Sequence, residues 1–275
     1  MSDHAIVSPN DTVRVDVENA VATVTINRPD SLNAINDDVV TALIEITGAL
    51  KVSKDIRCVV LTGAGDHFMA GGDVKRFKRK FEEVADDNES RAWFNSILER
   101  IHIVVSNIND LRMPVIASVK GAVAGAGFSL MLGCDLVVAA EGGIFTLAYC
   151  HLGTSPDGGS TWHLPRTLGM KRAMEIALLG DRFGPEQALA WGLINKVVPA
   201  ADLDAEVAAL AVRLAKGPTM AYGETKRLLL DSTDRDLSNQ LHAETRSFVT
   251  CAMSDDFRKG VTAFVDKQKP DFKGE

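Results

Sequence analysis

Two glycine-punctuated turns constrain this chain most, because each follows a short apolar run of strand character. The first, Phe68-Met69-Ala70-Gly71-Gly72-Asp73, comes after Arg57-Cys58-Val59-Val60-Leu61-Thr62. The second, Gly121-Ala122-Val123-Ala124-Gly125-Ala126-Gly127, comes after Val115-Ile116-Ala117-Ser118-Val119. Apolar runs of this length, rich in β-branched residues and closed by turn residues, read as buried strands. Glycine and alanine let the backbone approach a ligand closely, and glycine also adopts positive φ without strain. Two such turns can bring two backbone N–H groups onto one oxygen. That arrangement stabilises negative charge developing on a carbonyl.

The rest of the chain supplies further strands and the helices to cover them. Val13 to Val17 and Val21 to Ile26 alternate, with Glu18-Asn19-Ala20 between them, the pattern of a β-hairpin. Asn36 precedes a helical stretch, Asp37 to Leu50, with Val40, Leu43, Ile44 and Leu50 at helix spacing. Residues 74 to 110 are charged early and amphipathic later, where Trp93, Phe94, Ile97, Leu98, Ile101, Val104 and Val105 form a stripe. Phe128 to Cys134 reads as a buried helix, and Leu136 to Ala140 and Ile144 to Leu147 as strands. This punctuation predicts an α/β core. Val197-Val198-Pro199 marks a boundary, giving a core over 1–199 and an alanine-rich helical region over 200–275.

Composition excludes several classes of function. The chain has 275 residues and a net charge of −7 with no basic tract, a poor match to nucleic acid. No apolar run approaches membrane-spanning length. The opening Met1-Ser2-Asp3-His4-Ala5 has the makings of neither region of a secretory signal. Cys58, Cys134, Cys150 and Cys251 lack metal-like spacing, and Cys58 and Cys134 sit in apolar runs as small hydrophobes. A reducing cytoplasm and no metal are expected.

At its glycine turns the chain resembles the crotonase family, the enoyl-CoA hydratase/isomerase superfamily. The resemblance runs through Ile26-Asn27-Arg28-Pro29, Ser31-Leu32-Asn33-Ala34, Leu61-Thr62-Gly63-Ala64-Gly65 and both turns. It continues through Cys134-Asp135-Leu136, Leu152-Gly153-Thr154-Ser155-Pro156, Ala188-Leu189-Ala190-Trp191-Gly192-Leu193-Ile194 and Gly260-Val261-Thr262-Ala263-Phe264. It implies a crotonase (ClpP-like) spiral of β-β-α units with a C-terminal helical oligomerisation region, assembled as a homotrimer or a dimer of trimers. It also implies an acyl-CoA thioester as substrate, with coenzyme A part of that substrate and no bound cofactor. Ala70 and Ala126 match the positions whose N–H groups form the family's oxyanion hole, and residue 126 stands before a helix.

Enoyl-CoA hydratases place glutamates at two positions that here hold Ser129 and Tyr149. A hydroxyl cannot replace a carboxylate as base near neutral pH. The carboxylate left in this neighbourhood is Asp157, in Ser155-Pro156-Asp157-Gly158-Gly159. With Thr161-Trp162-His163-Leu164-Pro165-Arg166, this segment resembles the ring-1,2-epoxyphenylacetyl-CoA isomerases and Δ3,Δ2-enoyl-CoA isomerases of the family. The resemblance makes Asp157 the proton carrier of a double-bond shift or ring-epoxide opening. From local sequence alone the same aspartate reads as an N-cap.

The resemblance places the CoA-binding loop at Ser31 and Leu32. Further substrate contacts fall at Met69, Gly71, Gly72, Asp73, Gly125 and Tyr149, and at Phe264 and Lys267 near the C-terminus. Asp73 also reads as a local loop anchor. Phe77, Phe81, Trp93 and Trp162 are candidates for the acyl pocket, although core packing explains such residues equally well. His67, His102, His151 and His163 each read as structural when taken singly, with His67 nearest the first turn. The rival readings are a hydratase, another crotonase-fold activity such as thioester hydrolysis or dehalogenation, a serine hydrolase using Ser129, and a non-catalytic scaffold. Gly127-Phe128-Ser129-Leu130-Met131 lacks the final glycine of a nucleophile elbow.

Overall fold

The computed structural model describes residues 6–84 and 86–275; the expectation placed on residues 1–5 lies outside the described residues. Strands β1 (Val13–Glu18) and β2 (Val21–Ile26) form the antiparallel hairpin, closed by Asn19 and Ala20 at φ 52° and 61°. Two left-handed residues make the type I′ turn whose twist matches that of the strands. Helix α1 (Asp37–Val52) follows, capped by the Asn36 side chain, which accepts from the Val39 N–H at 3.0 Å.

Next come β3 (Cys58–Gly63), α2 (Val74–Glu83), α3 (Asp87–Asp110), β4 (Val115–Val119), β5 (Ala122–Ala124) and α4 (Ala126–Leu132). They are followed by β6 (Leu136–Ala140), β7 (Ile144–Thr146), α5 (Ser160–Leu179), α6 (Pro185–Ala190) and β8 (Lys196–Val198). Beyond β8 the chain holds four α-helices: α7 (Leu203–Ala215), α8 (Thr219–Asp231), α9 (Leu237–Ala252) and α10 (Asp255–Val265).

The main sheet has the order β1-β2-β3-β4-β6-β8 and is parallel from β2 onward. A second, two-stranded parallel sheet pairs β5 with β7, and a parallel bridge from Met69 to Val123 extends it. Successive passes of the chain therefore place one segment in the large sheet and the next in the small one: β3 then Met69, β4 then β5, β6 then β7. This is the spiral that the sequence resemblance implies.

Strand alternation divides the core between the two faces of the large sheet. Val59, Leu61, Ala117, Val137 and Ala139 join α1, α3 and α4 in one buried cluster. Cys58, Val60, Ile116, Val138 and Ala140 face the other way and are covered by Leu203, Val207, Ala211 and Ala215 of α7. All five residues of β4 are buried, the signature of a parallel strand covered on both sides. Among the described residues, no helix is long and apolar enough to cross a membrane.

Candidate active site

The two glycine turns are joined backbone to backbone. Phe68 N–H donates to Lys120 O at 2.8 Å, Met69 N–H to Ala122 O at 3.0 Å, and Ala124 N–H to Met69 O at 2.9 Å. His67 completes the joint, its Nδ1 accepting from the Ala122 N–H at 3.1 Å. The buried Asn33 amide donates to Ala64 O at 2.9 Å and to His67 O at 2.7 Å. His67 is thus a staple between loops. Where the turns cross, only glycine fits. A β-carbon on Gly127 would stand 2.4 Å from Met69 O, and one on Gly71, whose φ of 97° already favours glycine, would stand 3.2 Å from Ala124 O.

The expected donor at Ala70 needs a correction. Its N–H is engaged by Leu32 O at 3.0 Å. The segment 32–35 runs beside the first turn, and the chain reverses its facing at Gly71. Ile35 bridges Gly72 in parallel register, bonding to Gly71 O at 2.7 Å and to Asp73 N at 3.0 Å. In a parallel bridge the central residue directs its own N–H away from the partner. The Gly72 amide therefore faces away from Ile35, and it makes no hydrogen bond among the described residues. Ala126, the first residue of α4, likewise makes no bond through its N–H, as the helix start dictates. The two free amides lie on the touching turns. Sequence matching alone missed Gly72 as a donor; only the pairing of 32–35 with 70–73 reveals it.

Asp157 occupies the turn that leads into α5. Its carboxylate caps nothing: the N-cap is Gly159, at φ 81°, with no side-chain bond. The main-chain carbonyl of Asp157 does the local work, accepting from Ser160 N at 3.3 Å and Ser160 Oγ at 3.0 Å. The carboxylate Oδ1 instead accepts a hydrogen bond from the Tyr149 hydroxyl. Ser129, fully buried, donates to Asp157 O at 2.9 Å and lies 3.4 Å from the Tyr149 hydroxyl. The two positions at which hydratases carry glutamate thus converge on one aspartate. Burial holds the Asp157 pKa above the ordinary carboxylate range, while the Tyr149 hydrogen bond and then the charge of His102 on α3 pull it down. Burial and the neighbouring Asp157 push the Tyr149 phenol up, so it remains a donor.

A sequence model of the enoyl-CoA hydratase/isomerase family matches residues 16–275. The chain belongs to this family. It is 38% identical over 259 residues to the 1,2-epoxyphenylacetyl-CoA isomerase of Escherichia coli strain K12, a match covering 94% of this chain and 97% of that one. It is 29% identical over 258 residues to the short-chain-enoyl-CoA hydratase of Clostridium acetobutylicum, covering 94% and 95% respectively. The crystal structure of an enoyl-CoA hydratase from Polaromonas superposes with a TM-score of 0.87 at 34% identity, covering 94% of this chain and 99% of the other. Relatives named for isomerisation and for hydration both span the whole fold.

Other residues singled out from sequence fall into distinct places in this crotonase fold. Ser31 and Leu32 form an exposed 3-10 turn and its cap at the edge of the first glycine turn. Asp73 caps α2, accepting from Arg76 N at 3.2 Å, and pairs with Arg28 at 3.1 Å. Met69 is fully buried against Gly127, a packing residue beneath the turns. Gly125, at φ 50°, precedes the Ala126 amide and donates to Thr146 O at 3.2 Å. Phe264 is 86% exposed beside an apolar groove of about 340 Å³ lined by Pro218, Phe257, Val261 and Phe272. Neither Asp157 nor the glycine turns line that groove, and Lys267 lies just beyond α10. A single chain therefore leaves Phe264 outside the Asp157 site. Trp162 lies under the Arg166 guanidinium, 4.0 Å from its ring centre.

Proposed function

We propose that this protein is an acyl-CoA isomerase that moves a double bond, or opens a ring epoxide, through an enolate. The observation that carries the reading is the single carboxylate of Asp157, held by Tyr149 where a hydratase would set two glutamates. The thioester oxygen binds between the N–H groups of Gly72 and Ala126. Asp157 removes a proton from C2 of a 3-enoyl thioester, and the electron pair spreads into the carbonyl as a dienolate. The same carboxylic acid returns that proton at C4, leaving the double bond between C2 and C3. Each amide donor of this kind is worth roughly 2.7–4 kcal/mol in the transition state. Hydration asks for a second group to hold and deprotonate water, and neither Ser129 nor Tyr149 has the basicity.

The 38% identity to a 1,2-epoxyphenylacetyl-CoA isomerase supports the epoxide-opening variant of the same chemistry. The reading also includes a cytoplasmic homotrimer or dimer of trimers. The assembly is supported by the exposed apolar side chains of α9 and α10, among them Leu241, Phe248, Val249, Val261 and Phe264. Incubation with trans-3-hexenoyl-CoA, followed by mass spectrometry and chromatography, tests the reaction. The expected product is trans-2-hexenoyl-CoA at unchanged mass. Faster formation of a 3-hydroxyacyl-CoA from the 2-enoyl thioester would overturn isomerisation in favour of hydration.

A further inference from the structure

Gly72 does not need its glycine for backbone reasons, since its φ lies outside the left-handed region. What it leaves room for is a ring. A β-carbon at this position would stand 2.8 Å from Phe77 Cζ and 3.3 Å from Cε2. Phe77 therefore lies directly on the residue whose amide is free. Helix α2 fixes this contact, because it starts at Val74 and brings Phe77 back over the turn within its first turns. Two aromatic side chains of α3 hold the ring from behind. Trp93 lies 6.0 Å away at 75° and Phe94 lies 5.5 Å away at 66°, both edge-to-face. Such pairs resist rotation of the ring and add to its burial.

From this contact we infer that Phe77 is the specificity-determining wall of the acyl pocket, selecting acyl groups that are flat beside the thioester, aryl or conjugated, over saturated flexible ones. The inference rests on the reading that the Gly72 amide binds the thioester oxygen. On this inference C2 and C3 of the acyl group lie beside the Phe77 ring that covers Gly72. A planar group can stack on that ring or meet its edge, whereas a saturated chain gains only ordinary contact.

Calorimetric binding of two thioesters that lack a double bond to move, phenylacetyl-CoA and hexanoyl-CoA, tests the wall without relying on turnover. The wild-type protein is expected to bind phenylacetyl-CoA the more tightly. Phe77→Leu keeps apolar bulk and removes the ring; it should weaken phenylacetyl-CoA about 3- to 10-fold and leave hexanoyl-CoA within about twofold. Retained hexanoyl-CoA binding also reports that the variant is folded. Should Phe77→Leu not fold, Trp93→Leu removes the support behind the ring and should give the same split. Equal weakening of both ligands, or an unchanged preference, would overturn the inference alone. A wild-type protein that binds neither thioester would overturn it together with the acyl-CoA reading.

Discussion

The Tyr149 hydroxyl donates to Oδ1 of Asp157, so the residue at a hydratase glutamate position serves here as a partner to the carboxylate. That bond favours the ionised form and partly offsets the upward pull of burial on the Asp157 pKa. In Tyr149→Phe the offset is lost and the Asp157 pKa rises further. A base works only when ionised, so the acidic limb of log(kcat/KM) should move to higher pH. For the proposed isomerisation we expect about a tenfold deficit in rate at the acidic end, shrinking as pH rises. A deficit of the same size at every pH would mean that Tyr149 acts on something other than the ionisation of Asp157.

Asp157→Asn separates a working carboxylate from a structural one. The amide oxygen can still accept the Tyr149 hydrogen bond, but it cannot take a proton from carbon. Loss of a general base typically costs about 10²–10⁴-fold in kcat. Stability should move the other way or not at all. The native pKa of Asp157 is raised, so this group favours folding most at low pH and loses that contribution as pH rises through the native value. Wherever Asp157 is ionised in the native state, its buried charge is a liability that asparagine removes. Thermal denaturation should give a midpoint equal to wild type or a few degrees higher; a large fall would assign Asp157 to holding the start of α5.

Much of this was legible in the chain because it depends on local pattern. The apolar run at Val115–Val119, the hairpin around Asn19 and Ala20, and the Asn36 cap are set by residues a few places apart. The carboxylate at Asp157 and the absence of carboxylates at 129 and 149 were equally readable. What could not be read was which amide is free. The Ala70 N–H is taken by Leu32, far back in the chain, and that pairing is a property of the spiral. The cap reading of Asp157 failed for a related reason. The Gly158-Gly159 pair, at φ 61° and 81°, moves the helix start two residues on and turns the carboxylate toward Tyr149. The ring of Phe77 over Gly72 had no sequence signal beyond two residues of suitable size five apart.

Gly127 and Gly48 should respond oppositely to alanine. At Gly127 the new methyl group would stand 2.4 Å from Met69 O and 2.7 Å from Met69 Cβ, so the second turn must move away from the first. Overpacking of this kind costs about 1–3 kcal/mol. On the proposed mechanism this shift also moves the Ala126 amide away from the Gly72 amide, and misaligning one donor should lower kcat about 10²–10³-fold. Gly48 lies inside α1, and a methyl group added there would meet nothing within 4 Å. Gly48→Ala should therefore add roughly 0.5–1 kcal/mol without changing activity. Chemical denaturation and steady-state rates on both variants check the pair.

His163, on α5, gives the fold an acid-sensitive element. Burial, with the Arg166 charge adding to it, lowers its pKa from the ordinary 6.5 to about 4. Between those values the unfolded chain binds a proton that the native state refuses, so this residue takes stability away as pH falls from about 6.5 toward about 4. Asp157 and Asp135, whose native pKa values are raised chiefly by burial, act in the opposite direction. Overall acid sensitivity is therefore a poor measure of His163, and a comparison of variants is the right one. His163→Gln keeps a polar side chain but cannot titrate. Its urea midpoint should fall less between pH 7 and pH 5 than that of the wild type, while the two proteins differ little in shape at pH 7. Parallel falls in the two proteins would show that His163 gains its proton in the native state as readily as in the unfolded chain, and the acid sensitivity would then belong to other groups.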